Sequence, residues 1–326
     1  MQKLMPGARL PVPDPPRPAS ILHPMPRYKL TLRYDGTDFC GWQKQVVPAS
    51  AEVVARLSRP GPPFGEVRED GKVHYRTVQD VVERAVREVV RERVVLTGAS
   101  RTDSGVHAEG QVAAFTCSAG ETRGQGWPTD RGLDALRQAI NSRLAPDVRV
   151  RTVELVDDQF DPIRGAASKG YRYTVHAGRE HPMWDRNYVF HAPYALDAGA
   201  MHAAAQKLVG EHDFAGFTAA DHGRLTTVRT IFACDVREAA DPFARAEDAS
   251  AARRVTIDVS GNGFLYNMVR IIAGTLVEIG RGRLDPARID AALSTGDRTQ
   301  AGPTLPPEGL RLEWIRYREP ESRDLS

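Results

Sequence analysis

Tyr28-Lys29-Leu30-Thr31-Leu32-Arg33-Tyr34-Asp35-Gly36 alternates apolar and polar side chains and then stops at an Asp-Gly turn. Successive side chains of a strand point to opposite faces, so Tyr28, Leu30, Leu32 and Tyr34 define a buried face and Lys29, Thr31 and Arg33 the other. The period then changes. Val78, Val81, Val82, Ala85, Val86, Val89 and Val90 recur at three- and four-residue steps, a helical spacing strong enough to override the β preference of valine. Thr77 with Asp80 three residues on resembles a capping box at its start. Strands are expected near Val94 to Thr97 and Gln111 to Cys117, then a helix with Leu133, Leu136, Ile140 and Leu144 on one side, then a strand near Val148 to Val156. The first half thus reads β-α-β-β-α-β.

The same order recurs further on: a strand at Tyr171 to His176, a helix carrying Met201, Ala204, Ala205 and Leu208, strands near Val228 to Val236 and Val255 to Ser260, helices from about Phe264 to Ile279 and Pro286 to Leu293, and a strand from Leu310 to Tyr317. The expected fold class is α+β, as two pseudo-symmetric split-βαβ halves of RRM or ferredoxin-like kind. Their antiparallel sheets would form a central RNA-binding cleft. The N-terminal domain is placed at 28–157, with a loop at 98–110, and the C-terminal domain at 158–326.

The chain has 326 residues, 41% of them hydrophobic and 26% charged, enough for two modest cores. It contains no apolar run near the roughly 20 residues that a membrane helix requires, and a cytoplasmic location is expected. A net charge of +2 neither demands nor excludes a nucleic acid, because local patches outweigh the total. Cys40, Cys117 and Cys234 lack paired spacing, which argues against a disulfide framework or a zinc knot and leaves them as small buried apolar residues. Residues 1–27 are crowded with proline (Pro6, Pro11, Pro13, Pro15, Pro16, Pro18, Pro24, Pro26) and read as a disordered tail. The Pro60-Gly61-Pro62-Pro63 run marks 46–76 as a surface insertion.

Between two apolar strands of the first half, the loop Gly98-Ala99-Ser100-Arg101-Thr102-Asp103-Ser104-Gly105-Val106-His107 crowds chemistry into ten residues. Loops on a rigid sheet are where catalytic groups tend to be displayed. On local sequence alone Asp103-Ser104-Gly105 reads rather as an Asx-type turn, with Arg101 and His107 solvated beside it. Ser104 and His107 lack the G-x-S-x-G elbow of a hydrolase. A metal set of Asp103, His107 and Glu109 has no second cluster of ligands to support it.

A resemblance decides between these readings. Ser100-Arg101-Thr102-Asp103-Ser104-Gly105-Val106-His107-Ala108 is similar to the G-R-T-D-A-G-V-H-A signature of the tRNA pseudouridine synthase A family. Tyr34-Asp35-Gly36-Thr37-Asp38-Phe39-Cys40-Gly41-Trp42-Gln43, Val78-Gln79-Asp80, Lys169-Gly170-Tyr171-Arg172-Tyr173 and Phe264-Leu265-Tyr266-Asn267-Met268-Val269-Arg270 resemble further segments of that family in the same order. The likeness runs from about residue 28 to 317. Ser100 and Ser104 replace a glycine and an alanine, and the 46–76 stretch is longer than the family's usual link.

The resemblance implies isomerisation of uridine to pseudouridine in the anticodon stem-loop, at tRNA positions 38 to 40, by a homodimer and without a cofactor or metal. Asp103 would act on the ribose side of a flipped uridine. Arg270 would be its counter-ion, since a guanidinium among Met268, Val269, Ile271 and Ile272 calls for a dedicated acceptor. Arg101 would fill the gap left by the extruded base, and Tyr171 would stack on that base. Trp42 and Gln43 read as structural, and His107 as an anchor of the loop. Lys169, Arg164 and Arg172 are placed as solvated cations able to meet phosphate. The rival readings are a non-catalytic RNA-binding protein on the same scaffold and a metal-dependent hydrolase.

Overall fold

The computed structural model describes residues 25–58, 61–120, 124–219, 226–243 and 252–318. Most of the proline-rich tail expected at 1–27, residues 1–24, lies outside them. The opening strand β1 (Arg27–Tyr34) buries Tyr28, Leu30, Leu32 and Tyr34 and turns Lys29, Thr31 and Arg33 the other way. The 46–76 stretch has structure of its own: β2 (Val46–Pro48), α1 (Ala51–Leu57), β3 (Gly65–Val67) and β4 (Lys72–Tyr75). Its strands make a small antiparallel sheet in the order β2-β4-β3. Strands of three and four residues are too short to display a period of two, so the sequence reading did not find them.

Helix α2 (Val78–Val90) starts on Thr77, whose Oγ1 accepts the Asp80 amide at 3.4 Å. The Asp80 carboxylate turns instead to Arg68 at 2.5 Å, so only half of the capping box forms and the other half ties the insertion to the helix. Strand β5 (Thr97–Gly98) is shorter than expected. Leu96 donates its amide to Glu83 (3.1 Å) and its carbonyl accepts from Gln79 (2.7 Å). Side chains of α2 thus satisfy backbone groups that a neighbouring strand would otherwise pair. Strand β6 (His107–Thr116) begins four residues before the expected Gln111, and α3 (Leu133–Asn141) buries Leu136 and Ile140 but leaves Leu133 exposed. Strand β7 (Val148–Val156) follows.

The second half runs β8 (Ala166–Ala177), β9 (Phe190–Ala192), α4 (Ala198–Ala205), β10 (Gly210–Asp213), β11 (Val228–Ala240), β12 (Arg253–Gly261), α5 (Met268–Gly280), α6 (Ala287–Thr295) and β13 (Leu310–Tyr317). Helix α5 was expected from Phe264. It starts at Met268, because Asn267 adopts a left-handed conformation (φ 60°) that a continuing α-helix does not accommodate. Cys117 and Cys234 are buried, whereas Cys40 is only half-buried.

The described residues build one mostly antiparallel sheet of ten strands in the order β10-β11-β12-β8-β13-β6-β1-β7, with β5 paired to β6 and β9 to β8. The fold is therefore α+β. Strand β13 meets β8 antiparallel and β6 parallel. Buried side chains from both halves, from Tyr28 and Phe115 to Ile257 and Ile272, form a single apolar cluster. The opposite face carries ion pairs such as Lys29 with Glu154 (3.0 Å) and Arg172 with Asp258 (2.7 Å). At Gly98 an added Cβ would lie 2.2 Å from the buried Trp42 ring. Gly98→Ala should destabilise the fold by about 1–3 kcal/mol through overpacking, measured as a lowered Tm. An unchanged Tm would show that the ring has room to move.

Candidate active site

The loop between β5 and β6 is held from below by the Asp35–Gln43 turn. Trp42 donates its amide to the Thr102 carbonyl (3.0 Å), and the Phe39 carbonyl accepts from the Gly105 amide (3.3 Å) and the Ser104 hydroxyl (3.1 Å). A Cβ on Gly41 (φ +83°) would lie 2.7 Å from the Thr102 carbonyl oxygen, so this approach of two backbones needs glycine. Gln111 brackets Ser100, accepting its amide at 3.2 Å and donating to its carbonyl at 2.7 Å. The Tyr34 and Thr102 hydroxyls are 2.8 Å apart. The loop is thus a fastened platform.

On that platform Asp103 faces Arg270, whose Nη1 lies 3.3 Å from Asp103 Oδ2. Arg270 reaches this point from the first turn of α5, held by bonds from Nε to the Leu305 carbonyl (2.7 Å) and from Nη1 to Asn267 Oδ1 (2.8 Å). Its guanidinium is oriented before any ligand arrives. The Asp103 side chain keeps 28% of its surface, enough for a reactant to reach it. Burial pushes the Asp103 pKa above the ordinary carboxylate value, and the charge and hydrogen bond of Arg270 only partly offset that.

Tyr171, on β8, is buried with its hydroxyl 2.9 Å from Ser100 Oγ. Its pKa is pushed up to about 12, first by burial and further by the Asp103 charge, while the Ser100 bond lowers it; the ring stays a neutral phenol. Phe264 meets Tyr171 edge-on, with centroids 5.1 Å apart and planes at 82°. The sequence reading assigned Phe264 to a helix and so missed this contact; the left-handed Asn267 that places it carries no pattern signal. Arg101 is exposed and makes no hydrogen bond or ion pair with the described residues. The structure therefore brings Asp103, Arg270 and Tyr171 together and leaves Arg101 at the surface of the same loop.

Other candidates are engaged elsewhere. Tyr173 is fully buried and donates to the Pro306 carbonyl (2.8 Å). Lys169 donates to the Ala99 carbonyl (2.7 Å), and Arg172 forms two bonds to Asp258 (2.7 and 3.0 Å). Arg164 is solvated. His107 Nδ1 accepts the Gly36 amide (2.9 Å), which leaves Nε2 to donate to the Asn187 carbonyl (2.9 Å). Both ring nitrogens are thus occupied, and Glu109 pairs with Arg151, so Asp103, His107 and Glu109 do not converge as metal ligands. A cavity of about 1330 Å³ opens beside His176, His181, Trp184 and Phe243, yet none of Asp103, Arg101, Arg270 or Tyr171 lines it. Size alone does not locate the chemistry.

The raised Asp103 pKa has a consequence for stability. The folded protein holds this proton more readily than the unfolded chain does, so stability falls as pH rises from the ordinary value of about 3.9 through the raised one. Asp103→Asn should accordingly unfold at a higher Tm than the parent at pH 7, and the gap should close near pH 4. A variant less stable than the parent at pH 7 would mean that losing the partner of Arg270 outweighs relief of the buried charge.

A model of the tRNA pseudouridine synthase family matches residues 204–318. The chain is 36% identical over 291 residues to the tRNA pseudouridine synthase A of Geobacter sulfurreducens, covering 89% of this chain and 98% of that protein. It is 36% identical over 296 residues to the Methylobacterium nodulans protein of the same name, covering 90% and 97%. For the Geotalea daltonii protein the identity is 36% over 293 residues, covering 90% and 100%. Likeness of that extent, spanning both the Asp103 loop and the Arg270 helix, shows that this chain belongs to the tRNA pseudouridine synthase A family.

Proposed function

We propose that this chain isomerises uridine to pseudouridine in the anticodon stem-loop of tRNA, at positions 38 to 40, with Asp103 as the catalytic carboxylate. The observation that carries the reading is the placement of one reachable, desolvated carboxylate against a pre-oriented guanidinium, 3.3 Å away, beside the buried Tyr171. The C1′–N1 bond of the everted nucleoside breaks, the uracil turns, and a C1′–C5 bond forms. Attack of Asp103 on C1′ and removal of the 2′ proton both require the ionised carboxylate. Arg270 favours that form against the desolvation that opposes it. Tyr171 offers a ring for the base to stack on, and Arg101 occupies the vacated place in the stem.

The scaffold supports this reading. In the first half the order β7-β1-β6-β5 sets the last strand beside the first and the first beside the third; β13-β8-β12-β11 repeats that arrangement in the second. We read 28–157 and 158–326 as two split-βαβ units joined along β6 and β13, with the RNA lying in the cleft between them. A homodimer and a cytoplasmic location follow from the family resemblance. Among the described residues no helix is long and apolar enough to cross a membrane.

Tritium release from tRNA carrying 5-tritiated uracil tests the assignment. Asp103→Asn should lose turnover by about a thousandfold or more while keeping most of its RNA affinity. Normal turnover by that variant would remove Asp103 from the chemistry, and a parent that binds tRNA but releases no tritium would favour the non-catalytic binder. Arg101→Ala should slow turnover more on a paired uridine than on an unpaired one; equal losses on both would count against base extrusion.

A further inference from the structure

The 46–76 insertion does more than decorate the surface, because it is fastened to the residues that underlie the Asp103 loop. The Cys40 amide donates to the Arg76 carbonyl (2.8 Å), and the Arg76 amide to that of Phe64 (2.8 Å). The Cys40 thiol accepts from the Phe64 amide and donates to the Phe64 carbonyl, each at 3.2 Å. Arg76 also pairs with Asp147 (2.8 Å) and lies 4.0 Å over the Phe39 ring. Phe39 is the residue whose carbonyl holds Ser104 and Gly105. An insertion anchored in this way keeps a fixed position relative to Asp103.

Between the insertion and the loop lies an open groove of about 360 Å³, lined by Arg56, Pro63 and Tyr75 of the insertion, by Cys40 and Gln45, and by Ser104 of the loop. Ser104 is the residue next to Asp103. Arg56 is an exposed residue of α1, and its guanidinium forms no hydrogen bond or ion pair with any described residue. A guanidinium without an internal partner, a half-buried tyrosine ring and a side-chain amide form the combination that meets a phosphate and the nucleotide attached to it. We propose that this groove binds the RNA backbone next to the everted uridine, with Arg56 on one flanking phosphate, so that the insertion is a substrate-selecting wall of the active site. The inference rests on the proposed isomerase reading. The occupant is the substrate's own backbone because the groove is lined by Ser104, the residue that follows Asp103, and by a guanidinium that no described residue neutralises.

The test uses the full chain and synthetic anticodon stem-loops in which single phosphates flanking the target uridine are replaced, one at a time, by uncharged methylphosphonate. Arg56→Ala replaces an exposed, unpaired side chain by a strong helix former, so the fold is kept. The variant should bind the unmodified RNA roughly two- to fivefold more weakly. The slope of log K against log salt should fall by about 0.7 to 0.9, and the loss should be carried by KM rather than kcat. One neutral linkage should weaken the parent and leave the variant indifferent. Equal affinity and salt slope for the two proteins, or equal sensitivity to every linkage, would overturn the groove's role while parental turnover upholds the isomerase. A parent that makes no pseudouridine in any of these RNAs overturns the isomerase reading, and this inference with it.

Discussion

A short parallel pairing, His107 and Ala108 of β6 against Arg311 and Leu312 of β13, joins the two runs of strands into one sheet. Each element of the candidate site depends on that seam. Asp103 stands on the loop that leads directly into β6, whereas Arg270 and Tyr171 belong to elements on the far side, tied to β13 through β8 and the Leu305 segment. The approach at this boundary is close: a Cβ on Gly105 would lie 2.8 Å from the Pro307 ring, just before β13. The single apolar cluster that crosses the boundary makes the register costly to slip, since a shift by one residue would move Leu312 off its buried face.

Within that frame the candidate site holds a carboxylate where burial opposes its charge. A carboxylate in water ionises without help, but one as sheltered as Asp103 is desolvated, and its proton becomes harder to remove. Arg270 compensates in part, and it does so from a position fixed by the Leu305 carbonyl and the Asn267 side chain. Donors oriented in advance need no reorganisation at the moment of reaction, which is where electrostatic stabilisation is most effective. Tyr171 is held neutral by the same burial and by the neighbouring negative charge, so it adds no second anion beside Asp103.

Much of the fold was legible because it obeys simple periods. The alternation in β1 and the three- and four-residue valine spacing of α2 became a strand and a helix at the expected places, and β7 and β13 matched their expected limits. The failures share a physical origin: side chains or single dihedrals took over from the repeating pattern. Leu96 gives its backbone to Glu83 and Gln79, which shortens β5. One left-handed Asn267 delays α5 and frees Phe264 to meet Tyr171. The little sheet of 46–76 is built from strands below the length at which alternation is visible. At the site, Asp103 and Arg270 are 167 residues apart, and only the family motifs linked them before the fold did.

The seam also has an order in time. Arg311 is synthesised 204 residues after His107, the difference of their numbers in the paired register. At roughly 5–20 residues per second, a ribosome needs about 10–40 s to cover that interval. Through it the start of β6, next to the Asp103 loop, presents an unpaired strand edge to its surroundings. Nascent chains with such edges are prone to pair with the wrong neighbour. His107, the first residue of β6, accepts the Gly36 amide of its own half of the protein, a contact that does not wait for β13.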